Sequence, residues 1–88
     1  MTAPAPPPAP SRAEVEARLR ELISGELGRS EATAWAMQWI AAVPPGVDDP
    51  VVWRALDNLA GADAVSTDRP FLFEEVDFRA WLDELREG

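Results

Sequence analysis

The sequence predicts an all-α protein: a compact four-helix domain with a Pro-rich disordered N-terminal leader and a long helix 3 to helix 4 connection. Three observations carry this expectation. Four stretches repeat apolar residues at steps of three and four, the spacing that gathers side chains onto one face of a helix. Each stretch is bounded by residues that start or stop helices. Finally, a chain of 88 residues without cysteine is one domain whose only staple is its core, a single layer between helices.

Residues 1–10 hold five prolines and three alanines. Half of these positions lack a backbone donor, which predicts a disordered or polyproline-like leader ahead of a helical domain at 11–88. The Pro-x-x-Pro spacing among Pro4, Pro6, Pro7, Pro8 and Pro10 is ordinary for such a composition. Ser11 and Glu14 then form a capping box, each side chain serving the other's backbone N–H. Helix 1 follows to about Ser24, with Val15, Leu19, Leu22 and Ile23 as its apolar stripe and Gly25 as the left-handed residue that ends it. Gly25 to Arg29 is a short turn, with Leu27 tucked onto the joint between helices.

Helix 2 is expected from about Glu31 to Val43, capped by Ser30 and stopped by Pro44-Pro45-Gly46. It is the most apolar stretch, and Ala32, Trp35, Ala36, Trp39, Ile40 and Val43 share a face. Ala34, Met37 and Ala41 make a second apolar flank, so this helix is expected either at the centre of the bundle or with one flank kept for a partner. Asp49 and Pro50 are a strong helix start, cap then first residue. Helix 3 runs from Pro50 to about Ala60 with Val52, Leu56 and Leu59 inward, Trp53 beside them and Gly61 at its end. Residues 62–73 are too polar and broken for a helix; Phe71 and Phe73 are expected to point oppositely across the bundle, one inward and the other partly outward. Helix 4 spans about Glu74 to Arg86 on Phe78, Trp81, Leu82 and Leu85. Arg79 and Asp83 are spaced as an i,i+4 pair.

Several function classes are excluded or disfavoured. There is no cysteine and no histidine, which removes thiolate chemistry, ordinary structural zinc, haem ligation and imidazole catalysis. No apolar run is long enough to span a membrane and residues 1–10 lack the features of a secretory signal, so the expected compartment is the cytoplasm. None of the sixteen acidic residues lies in an apolar stripe where burial would raise its pKa, so no enzyme is expected. Neither Glu74, Glu75 and Asp77 nor Asp57, Asn58, Gly61 and Asp63 have the spacing of a calcium loop, and no metal or cofactor is expected. The glycines of the first turn lack the lysine and full spacing of a phosphate loop. No Asp-Ser-Leu segment is present for a phosphopantetheine arm, which argues against an acyl carrier protein.

Charge is uneven. Residues 1–43 carry five acidic and four arginine side chains, net −1; residues 44–88 carry eleven and four, net −7. Such a half repels phosphate backbones and anionic membranes and steers basic proteins. Helices 2 and 3 together contribute one arginine, Arg54, against the needs of a helix-turn-helix. The expectation is therefore no nucleic-acid partner and no membrane.

Ser30-Glu31-Ala32 with Trp35-Ala36 and Trp39, then Asp49-Pro50 with Val52-Trp53, Ala55-Leu56 and Leu59-Ala60-Gly61-Ala62-Asp63, and finally Phe71-Leu72, Asp77-Phe78, Trp81-Leu82 and Glu84-Leu85 resemble a group of small, acidic, uncharacterised proteins of actinobacteria. The resemblance covers about residues 11–86 and implies no activity, cofactor or partner. In size, acidity and helix number the chain also resembles the bacteriocin immunity proteins, without matching their motifs. The functional expectation is a non-catalytic protein-binding or inhibitory, immunity-like module. It would meet a basic partner with Trp53, Asp57, Asp63, Asp68, Phe73 and Asp77, aromatic anchors in an acidic rim. The alternative is an accessory helical domain that self-associates, as a homodimer, through Trp35, Met37 and Trp39.

Overall fold

Side-chain caps decide where the helices begin. In the computed structural model, which describes residues 8–42, 46–68 and 70–88, the elements are α1 (Arg12–Ser24), α2 (Arg29–Ile40), α3 (Pro50–Ala60) and α4 (Glu75–Glu87). The expected all-α, four-helix architecture is what is found. Ser11 Oγ accepts from Glu14 N–H at 3.1 Å while Glu14 Oε1 accepts from Ser11 N–H at 3.3 Å, the reciprocal box that starts α1. Gly25 ends it at φ +87°, and Leu27 N–H then closes on the Glu21 carbonyl at 3.0 Å. Asp49 starts α3 by accepting from Val51 N–H at 3.0 Å, with Pro50 in the first helical position.

The start of α2 differs from expectation. Gly28, not Ser30, occupies the cap position, and the Glu31 carboxylate accepts from Gly28 N–H at 3.2 Å. Glu31 thus reaches back three residues, which extends the helix one turn-third upstream of the serine and leaves Ser30 inside it. The last helical residue is Ile40; the expected stop at Val43 to Pro45 lies outside the described residues. So do residues 1–7 of the leader. Residues 8–10 lie against the bundle: the Trp39 indole N–H donates to the Pro8 carbonyl at 3.2 Å, and Pro10 is buried.

The core joins Val15, Leu19 and Leu22 of α1, Ala32, Ala36 and Trp39 of α2, Val52, Ala55, Leu56 and Leu59 of α3, and Phe78, Trp81, Leu82 and Leu85 of α4. No polar or charged residue is buried with them among the described residues. The main packing pairs are α2 with α3 and α1 with α4, and both α1 and α3 touch all three other helices. Among the described residues α2 does not touch α4, so it is not the centre of the bundle. The second flank of α2 explains this, since Ala34, Met37 and Ala41 are exposed and only its other face is covered.

Arg12, at the start of α1, and Gly88, after α4, both meet the first turn of α3. Arg12 makes a two-pronged pair with Asp49, Nε to Oδ2 at 2.8 Å and Nη2 to Oδ1 at 3.1 Å. Gly88 abuts Val51 so closely that a methyl group there would lie 2.6 Å from Val51 Cγ2.

Candidate functional site

The long connection is held by a residue whose part the sequence did not disclose. Arg29, at the first position of α2, donates from Nη1 to the Ala62 carbonyl at 3.2 Å and also to the Phe73 carbonyl. Its guanidinium lies 4.1 Å from the Phe71 ring centroid and 4.9 Å from that of Phe78. One planar cation therefore grips both ends of the 62–73 segment and stacks against two rings. Within the segment Leu72 N–H donates to the Ala64 carbonyl at 2.9 Å. The neighbouring Thr33 hydroxyl donates to the Leu59 carbonyl and accepts from Asp63 N–H, both at 3.3 Å, closing the end of α3.

The six residues expected to form one acidic interface are distributed over several environments. Phe73 is half-buried and packs edge-on against Trp81, ring centroids 5.1 Å apart. Asp77 accepts from Glu74 N–H at 2.8 Å and so caps α4. Asp68 accepts from the Ser66 hydroxyl, and Asp63 is held through its backbone by Thr33. Trp53, half-buried, and Asp57, exposed, share one face of α3. Phe71, expected opposite to Phe73, is the outer ring, beneath Arg29. Among the described residues no three carboxylates converge on a metal-sized space.

Most arginines are paired across or along helices. Arg79 bonds Glu75 at 3.1 Å, not the expected Asp83. A carboxylate four residues before a cation is the better arrangement on a helix, because side chains lean toward its N-terminus. Glu16 is shared: Oε2 accepts from Arg20 Nε at 3.2 Å and Oε1 from Arg86 Nε at 3.1 Å, tying α1 to α4. The hydrogen bond from Arg86 holds its carboxyl below the ordinary value. Asp49 is lowered likewise, chiefly by the hydrogen bond from Arg12. Arg18 pairs with Glu21 at 2.7 Å and lies over Trp35.

Two grooves flank α4. The one between α3 and α4, about 340 Å³, has an apolar floor that includes Val51 and Trp81, with Arg54, Asn58, Glu84 and Glu87 around it. The other, about 410 Å³, lies between the end of α1 and α4 and is lined by Arg20, Ile23, Ser24, Arg79, Leu82 and Arg86. Three cations line it and bond to two carboxylates at its edge, Glu16 and Glu75, which leaves a local excess of one positive charge. Arg20 and Arg79 are far apart in sequence, and only the packing of α1 on α4 gathers them.

A family described as "YxzC DNA-binding protein" matches residues 8–85. A curated relative, "Uncharacterized protein YxzC" of Bacillus subtilis (strain 168), is 27% identical over 70 residues, which are 80% of this chain and 57% of the relative. The chain thus spans little more than half the length of that relative. No solved structure matches. The family description names no enzyme class, and it overturns two expectations drawn from charge. One was a protein-binding or inhibitory module, with a self-associating domain as its alternative, which gains no better support. The other was the absence of a nucleic-acid partner. Net charge was the wrong quantity for that second judgement, because a polyanion at contact responds to the local field, and counterions screen the remainder. With residues 8–85 matched, the chain belongs to the YxzC family.

Proposed function

We propose that this chain is a DNA-associated helical module that meets the phosphate backbone with Arg20, Arg79 and Arg86 in the α1–α4 groove. The observation that carries the reading is the groove itself, where the packing of α1 on α4 gathers three arginines against two exposed carboxylate partners, Glu16 and Glu75, in a chain of net charge −8. The family description supports DNA as the polyanion. Guanidinium groups on a rigid two-helix wall suit phosphate oxygens, and their exposure leaves them within reach of a duplex. The acidic remainder opposes long-range attraction and confines association to this face, while counterion release at the phosphate contacts makes it salt-sensitive. We place the protein in the cytoplasm with its DNA and outside the enzymes; no described helix is long and apolar enough to cross a membrane. The all-arginine cation set and the abundance of alanine and proline support an actinobacterial source.

Fluorescence anisotropy with a labelled duplex tests the reading. Three phosphate contacts give a log–log salt slope of about −2.7, or about 40-fold weaker binding between 50 and 200 mM salt. The triple variant Arg20→Ala, Arg79→Ala, Arg86→Ala should lose binding while Arg54→Ala retains it, with circular dichroism confirming that both fold. A triple variant that binds like the parent protein refutes the assignment.

A further inference from the structure

Arg20 and Arg86 reach Glu16 from different helices, and each donates its Nε–H to a different oxygen of the same carboxylate, at 3.2 and 3.1 Å. Two guanidinium groups are thereby held facing one two-oxygen anion. The geometry points to a preset site for a single phosphate group between Arg20 and Arg86, in which the Glu16 carboxylate stands in for the ligand's oxygens until the ligand displaces it. The ligand's source as DNA rests on the reading above; the phosphate chemistry does not.

Each arginine spends only its Nε–H on Glu16 among the described residues, whereas a guanidinium carries five donors. The amino groups are left to receive a larger anion with more acceptor oxygens. The trio is open to solvent, with side-chain exposure of 59% for Arg20, 45% for Arg86 and 32% for Glu16. Exposed ion pairs are weak, so displacing Glu16 is a small obstacle. The packing of α1 on α4 brings the two arginines to the same carboxylate, so both are within reach of one anion before it binds. Glu16 is accordingly a positioning residue and a competitor at once: it organises the site and lowers its apparent affinity.

The test compares Glu16→Gln with Glu26→Gln, an equal change of charge on an exposed residue of the α1–α2 turn, in the full chain. Duplex affinity should rise about fivefold for Glu16→Gln, the effect expected for releasing two exposed pairs. It should rise less than twofold for Glu26→Gln, and adding Arg86→Ala to Glu16→Gln should abolish the gain. Inorganic phosphate, followed by NMR of the arginine Nε–Hε groups, separates the sources. Shifts confined to Arg20 and Arg86 without any duplex binding would sustain the phosphate site and sink the DNA reading. Duplex binding that needs the three arginines, but is raised equally by both glutamine variants, would sink the site and spare the reading. Absence of any response to phosphate or duplex in Glu16→Gln would overturn both.

Discussion

Removing the Arg29 side chain should cost this fold about 3 kcal/mol. Arg29→Ala withdraws charged hydrogen bonds from the Ala62 and Phe73 carbonyls. Bonds from a charged donor contribute about 1.5 to 3 kcal/mol each, with the lower value fitting a half-buried group. Stacking over Phe71 at 4.1 Å and Phe78 at 4.9 Å adds about 0.5 kcal/mol or more. Water replaces part of what is lost, which brings the sum to about 3 kcal/mol. A domain of this size is stable by roughly 4 to 12 kcal/mol, so the midpoint of thermal unfolding should fall by about 15 °C. Urea unfolding followed by tryptophan fluorescence measures the loss, and hydrogen exchange at the Leu72 amide reports the segment directly. Arg29→Lys keeps the charge but cannot span both carbonyls and stack, so it should recover less than half. A loss below about 1 kcal/mol in Arg29→Ala, with Leu72 protection unchanged, would show that the segment is held by its apolar contacts instead.

Other outcomes follow from the same geometry. Asp49 and Glu16 have folded-state pKa values depressed by their arginines; their contribution is complete above the unfolded carboxyl value of about 4 and is lost as pH falls through the lower folded value. Urea midpoints should therefore be level from about pH 7 to 5 and fall below about pH 4, with a shallower acid limb in Asp49→Asn. Thr33→Val removes the hydroxyl that serves both Leu59 and Asp63 and should cost about 1 to 2 kcal/mol by chemical denaturation, while Thr33→Ser should stay close to the parent. Gly25→Ala places a Cβ at φ +87° and should lower stability by about 1 kcal/mol in the same assay, although nothing lies within 4 Å of the added methyl.

What could be read from the sequence was local. The capping box of Ser11 and Glu14, the Asp49-Pro50 start and the stripe Phe78, Trp81, Leu82, Leu85 involve residues within a few positions of one another, and all are found as expected. Some departures were also legible. Gly28 and Glu31 have the spacing of half a capping box, and Glu75 precedes Arg79 by the favoured four residues. Arg29 offered no such clue, because its partners lie 33 and 44 residues away and no periodicity links a helix's first residue to a later loop. The α1–α4 groove was hidden for the same reason, and a count of charges pointed away from it. Summed charge governs attraction at a distance; which arginines share a wall is a matter of packing.

The convergence of Arg12 and Gly88 on the first turn of α3 has a topological consequence. Asp49 holds the start of α1 and Val51 lies under the residue that follows α4, so these two helix ends could be spliced by a short linker without moving a helix. Fresh termini could then be opened elsewhere on the surface, as in a circular permutant. Joining those ends would restrict the unfolded chain at an entropic cost of about 4.5 kcal/mol at 25 °C for a loop of this length.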